Sequence, residues 1–79
     1  MKVTIALKGT LKKLFEGDTE RVFEVPDNCT CDEALQAAGI NYKETRNFGF
    51  VSVNNKRVMI DSRLSDGDYL NAFSRVSGG

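Results

Sequence analysis

The chain has 79 residues, with eleven basic and eleven acidic side chains, no His and no Trp. That size bounds a single domain with one small core and little room for a deep substrate cleft, and the balanced charge argues against an electrostatic nucleic-acid binder. Without His the side chain best suited to proton transfer near neutral pH is missing, while a hydrophobic fraction of 41% fits a folded globular chain.

Val3, Ile5 and Leu7 alternate with Lys2, Thr4, Ala6 and Lys8, a period of two that predicts a half-buried opening strand. The stretch is too short and too alternating for a signal segment, and no apolar run approaches the ~20 residues of a membrane span. The expectation is a soluble, cytoplasmic protein with no membrane or nucleic-acid partner. Gly9 ends the strand, Leu11, Leu14 and Phe15 follow amid lysines, and Gly17-Asp18 supplies turn chemistry. A second strand is predicted over 21–25, with Phe23 and Val25 on one face and Pro26 closing it.

Thr30-Cys31-Asp32-Glu33 has the form of a capping box. The helix that follows places Cys31, Ala34, Leu35 and Ala38 on one narrow apolar stripe. Gly39 stands where a left-handed C-terminal residue is wanted, and Ile40 can cover the end. A polar connection over 41–47 leads to a strand over 48–53, and Asn54-Asn55 reads as a two-residue hairpin turn. Val58 and Ile60 alternate on the returning strand. Asp66-Gly67-Asp68 forms a tight turn, and 69–73 is the last strand, with Leu70 and Ala72 inward and Tyr69, Asn71 and Phe73 outward. The order is ββαβββ, an α+β fold with a mixed sheet and one main helix packed across one face. Residues 1–73 form the domain, and residues 74–79 run off its end as a flexible tail.

That tail, ending Val76-Ser77-Gly78-Gly79, is the first candidate for chemistry. Two residues without Cβ atoms can adopt any backbone conformation and thread a channel too narrow for side chains. A terminal carboxylate is ionised at neutral pH and can attack the α-phosphate of ATP. The acyl-adenylate so formed is open to a sulfur donor, giving a thiocarboxylate, or to an amine, giving an amide. Activation of this kind belongs to a partner that positions the phosphates and metal.

Three stretches carry a resemblance: Val51-Ser52-Val53-Asn54-Asn55, then Asp61 with Leu64-Ser65-Asp66-Gly67-Asp68, then Val76-Ser77-Gly78-Gly79. With the element order, they make the chain similar to the MoaD and ThiS family of ubiquitin-like β-grasp sulfur carriers. The match covers residues 50–79 well and the N-terminal half by element order alone. The resemblance implies that Gly79 is adenylated by a ubiquitin-activating-type adenylyltransferase (MoeB- or ThiF-like) and then carries sulfur as a thiocarboxylate. ATP is used by that partner, and no cofactor or metal is bound permanently. The recipient implied is the molybdopterin synthase large subunit or a thiazole synthase. Lys8-Gly9-Thr10-Leu11-Lys12 and the Val-Ser-Gly-Gly ending lean towards MoaD, although Ser74-Arg75 stands where MoaD usually has Pro-Pro. ThiS is generally shorter, lacking the extra residues at 11–19 and 41–47.

The resemblance makes the chain a carrier and co-substrate, able to serve as the small subunit of a synthase complex, and no enzyme by itself. Two alternatives stay open: a protein modifier conjugated to lysines through Gly79, and a plain β-grasp interaction module. Cys29 and Cys31 supply only two ligands of a four-ligand site. Cys31 reads as a small apolar residue of the helix stripe and Cys29 as a loop thiol. Phe15, Phe23 and Phe48 are assigned to the core. Phe50 and Phe73 fall side by side on the sheet face away from the helix and form a candidate partner-binding patch.

Overall fold

The computed structural model describes residues 1–75. Apolar alternation produces five strands: β1 (Lys2–Lys8), β2 (Glu20–Glu24), β3 (Phe48–Val53), β4 (Lys56–Val58) and β5 (Tyr69–Ser74). They form one mixed sheet in the order β2-β1-β5-β3-β4. β1 and β5 pair in parallel at its centre, and the remaining neighbours are antiparallel. The helix α1 (Cys31–Ala37) contributes Cys31, Ala34 and Leu35 to the same buried cluster as Val3, Ile5, Leu7, Val51, Leu70 and Ala72. One sheet face is thus covered. Among the described residues no helix is long and apolar enough to cross a membrane.

Both ends of α1 are stopped by the residues that predict them. Thr30 Oγ1 accepts from the Glu33 amide at 3.2 Å, and Glu33 Oε1 accepts from the Thr30 amide at 2.9 Å. Those Thr30 hydrogen bonds hold the Glu33 carboxyl below its ordinary pKa. At the other end Gly39 takes φ +85°, its amide donates to Gln36 O at 2.9 Å and the Ile40 amide donates to Leu35 O at 2.8 Å. This pair of bonds is a Schellman closure, and buried Ile40 completes it.

The order ββαβββ with a single helix needs correction. A 3₁₀ helix spans Gly9–Phe15 between β1 and β2. It buries Leu11 and Phe15 and leaves Leu14 44% exposed. Leu11 and Phe15 are the anchors, while Lys12 and Lys13 between them stay in water. Glu16, in the left-handed region at φ 51°, ends the helix. β4 is also shorter than its alternation predicts: it stops at Val58, and Ile60 lies in the turn that follows. β5 runs to Ser74.

The outer face of the sheet is less open than a one-helix sandwich implies. Register places Ala6, Asn71 and Ser52 in one row across it, and all three are buried. Tyr69, one step along β5 on the same face, reaches across β1 to donate its hydroxyl to Glu20 Oε1 at 2.6 Å. Asn71 thus points outward as its alternation requires, yet is screened from water.

Candidate functional site

The residues expected to carry chemistry, Val76, Ser77, Gly78 and Gly79, lie outside the described residues. The point from which they depart is defined. Ser74 Oγ accepts from the Thr10 amide at 3.1 Å, tying β5 to the start of the 3₁₀ helix. The Arg75 amide donates to Asn47 O at 2.6 Å, and Arg75 Nε donates to Phe48 O at 3.2 Å. Three hydrogen bonds from two consecutive residues fix the exit between the 3₁₀ helix and the loop that enters β3.

Gly49 makes this closeness possible. The β3–β5 register slips between Phe48 and Phe50, the mark of a bulge. A Cβ at Gly49 would stand 2.9 Å from Phe73 O and 3.0 Å from Arg75 N. Only a residue without a side chain lets the two backbones approach so near.

On the near side of the bulge the regular register sets Phe50 directly opposite Phe73. Their rings stack at a centroid distance of 4.7 Å and an interplanar angle of 11°. Arg57, on the neighbouring strand, places its guanidinium 4.5 Å from the Phe50 ring centroid. Both phenylalanines are half-buried, so the face is a packed aromatic pair capped by a cation and not two free side chains. Phe15 and Phe48 are core as expected, whereas Phe23 is half-buried at the sheet edge, 6.0 Å from Phe15 between ring centroids. A groove of about 420 Å³ runs beside the exit, lined by Tyr42, Lys43, Phe48, Phe50, Arg57 and Arg75 among others.

The other family-like motifs turn out to be structural. Asn54 and Asn55 take φ 50° and 71°, the positive values that a type I′ hairpin requires. Asn54 Oδ1 accepts from the Tyr69 amide at 3.0 Å, and its Nδ2 donates to Asp68 Oδ1 at 3.0 Å. Asp68 Oδ2 accepts from the Ser65 amide at 2.7 Å, and Asp66 Oδ1 accepts from the Lys2 amide at 2.8 Å. The Val53-Asn54 and Asp66-Gly67-Asp68 stretches occur together because one turn is bolted to the other and to β1. Leu64 is buried, and its amide donates to Cys29 O at 2.8 Å.

The cysteines do not form a site. Cys31 is a core residue of α1, and burial first of all, with Asp68 and Asp61 adding to it, pushes its thiol up to about 11. Cys29 lies in a loop, as expected, but is buried there. It packs in the core at 4% exposure and donates to Thr30 O at 3.4 Å, and burial followed by the nearby Glu33 raises its pKa. Among the described residues no group of three or more His, Cys, Asp or Glu is placed to hold a metal ion.

Sequence reasoning missed the Arg75 anchor, the Gly49 bulge and the Arg57 cap. A glycine between two phenylalanines inside a strand was the available signal for the bulge. Nothing local marks an arginine that bonds a carbonyl 27 positions away in sequence.

No protein-family model and no curated protein matches the chain. Solved structures do. SAMP1 from Haloferax volcanii, a small archaeal modifier protein, superposes with a TM-score of 0.79 at 24% identity over 100% of both chains. The fold is the ubiquitin-like β-grasp of the MoaD and ThiS carriers. A chain of the BexX/CysO complex from Amycolatopsis orientalis shares this β-grasp, with a TM-score of 0.67 at 23% identity over 98% of this chain and 99% of that one. So does a chain of the complex of subunits 1 and 2 of molybdopterin-converting factor from Helicobacter pylori, with a TM-score of 0.61 at 20% identity over 100% of both. Two of these three β-grasp chains were thus solved bound to a partner subunit.

Proposed function

We propose that the chain is a sulfur-carrier protein whose Gly79 carboxylate is adenylated and converted to a thiocarboxylate, with a molybdopterin synthase as the recipient of the sulfur. The observation that carries this reading is a Gly78-Gly79 ending four residues beyond an anchored β-grasp exit, on a fold like that of the converting-factor subunit chain. A Gly79 carboxylate oxygen attacks the α-phosphorus of ATP and pyrophosphate leaves. Hydrosulfide sulfur from a donor then attacks the acyl carbon, AMP leaves, and one proton is released with the thiocarboxylate. The adenylyltransferase supplies the phosphate and metal chemistry. This chain supplies the electrophile and the surface that presents it. Phe50 and Phe73, stacked and capped by Arg57, offer that surface a rigid apolar anchor close to the exit.

A thiamine-type recipient, thiazole synthase, would use the same tail, and the Lys8–Lys12 and tail motifs favour the molybdopterin one. The likeness to a modifier protein, with the TM-score of 0.79, supports a second reading in which an amine replaces AMP and Gly79 forms an isopeptide bond. Isolation of the chain from its own cells separates the readings. The carrier reading predicts a free chain bound to a synthase large subunit and no higher-mass species on an immunoblot. A ladder of conjugates that disappears when Gly79 is deleted would favour the modifier.

A further inference from the structure

The charges of this neutral chain are sorted by end. β1 and β5 run in parallel, so the turn Asp66-Gly67-Asp68 that precedes β5 lies at the same end as Met1 and Lys2, and Ser74 lies at the other. Asp27 meets the Met1 ammonium at 3.4 Å, Asp66 takes the Lys2 amide, and Asp68 takes Ser65 and Asn54. These carboxylates mark the end away from the exit. At the exit end Glu16, Asp18 and Glu20 stand on the β2 side, where Asp18 pairs with Arg21 and Glu20 accepts from Tyr69, and cations gather around the two grooves. Lys43, Arg57 and Arg75 line the 420 Å³ groove on one side of it, and Lys13 and Arg46 line a groove of about 280 Å³ on the other. Glu44 is the one carboxylate among the linings of the two grooves. All five cations are exposed, and none takes part in a salt bridge among the described residues.

We infer that these five cations form a collar for an acidic rim at the mouth of the adenylyltransferase channel that takes the tail, an inference that rests on the reading of Gly79 as the adenylated group. Exposed cations with no salt bridge among the described residues are a cost in self-repulsion that a folded chain of zero net charge has no need to bear at one end. Placed around the exit, they orient the whole molecule with its C-terminal segment towards a negative surface before contact. Steering of this kind raises association rates and is screened by salt, because the charges are solvent-exposed. The aromatic pair beside the collar holds the complex once formed.

The test is stopped-flow association of the full chain with the adenylyltransferase of its own organism, at low and high ionic strength. Lys43→Glu combined with Arg46→Glu should lower the association rate constant about tenfold or more at low salt, and the gap should close at about 0.5 M salt. Lys2→Glu, at the end marked by Asp66 and Asp68, should leave it within about twofold. In parallel, hexaglutamate titrated at low salt should shift the amide signals of Lys13, Lys43, Arg46, Arg57 and Arg75. Equal association rates for the collar variant and the wild type, or hexaglutamate shifts spread evenly over the surface, would overturn the inference while leaving Gly79 chemistry intact. A single-stranded RNA oligomer that occupies the collar more tightly than the enzyme does would overturn it in favour of a nucleic-acid partner. An enzyme that binds with the predicted salt dependence but never charges Gly79 would remove the thiocarboxylate reading and leave the collar standing.

Discussion

Asn54 shows how one side chain can make a motif look functional. Its backbone sits at φ 50°, and its amide group bonds Tyr69 and Asp68 across the turns. Asn54→Gly keeps the backbone free to hold that φ and removes both side-chain bonds, so it should cost about 1–3 kcal/mol. Asn54→Ala removes the same bonds and adds roughly 1 kcal/mol for a Cβ in the left-handed region. Urea denaturation should therefore rank wild type above Gly and Gly above Ala; an Ala variant as stable as the Gly variant would contradict the lock. Cys31 gives a pH signature. Its thiol titrates at an ordinary 9.0 when unfolded and at about 11 in the fold, so between those values only the folded chain keeps the proton. Its contribution is complete below 9.0 and is lost as pH rises towards about 11, by roughly 2–3 kcal/mol. The wild-type stability curve should fall over that window more steeply than the curve of Cys31→Ala, measured by the same denaturation series. The capping box and the helix stripe were legible residue by residue because their rules act within four positions. The burial of Cys29 was not, since it depends on Leu64 bonding back to its carbonyl.

The elements whose signals are periodic or bounded by special residues were readable: β1, α1 with both its ends, the Asn54-Asn55 hairpin and β5. The 3₁₀ helix was not, because its seven residues carry two anchors at a spacing shared with a loop that dips into the core. Pairing across the sheet is equally silent in a local pattern, and with it both the register that aligns Phe50 with Phe73 and the bulge at Gly49. Gly49→Ala tests that bulge. Its Cβ meets backbone atoms of β5 and Arg75, so the strands must shift, and a cost of about 1–3 kcal/mol follows. The same shift should reduce charging of the tail, read as thiocarboxylate formed per unit time by a partner enzyme at limiting concentration. Phe50→Ala and Phe73→Ala each break the stacked pair at a cost of about 0.5–1.5 kcal/mol beyond lost burial, more than an exposed side chain would cost. Their larger effect should be on partner affinity. Titration calorimetry showing unchanged affinity in a folded Phe50→Ala protein would remove the aromatic face from the docking surface.

At the scale of the molecule, a small β-grasp with its cysteines packed away concentrates what it can do at one end. Replacement of both cysteines by Ala should leave charging intact and cost no more than a few kcal/mol, mainly from lost packing at Cys31. The general fold was legible because the strand–helix–strand order and the terminal Gly-Gly both lie on the surface of the sequence. The parallel pairing of β1 with β5, which carries the exit to the cationic end, joins residues about 65 positions apart and leaves no local trace. The central claim rests on Gly79. Deleting it draws the carboxylate back by up to about 3.6 Å of extended chain, far beyond what near-attack geometry tolerates. The direct measurement is intact-protein mass spectrometry after incubation with the adenylyltransferase, ATP and a sulfur source. The wild-type chain should gain the mass of one oxygen-to-sulfur exchange, localised to the C-terminal peptide, and the chain lacking Gly79 should gain none. Sulfur on a chain without Gly79, or sulfur mapped to Cys29 or Cys31, would contradict the account.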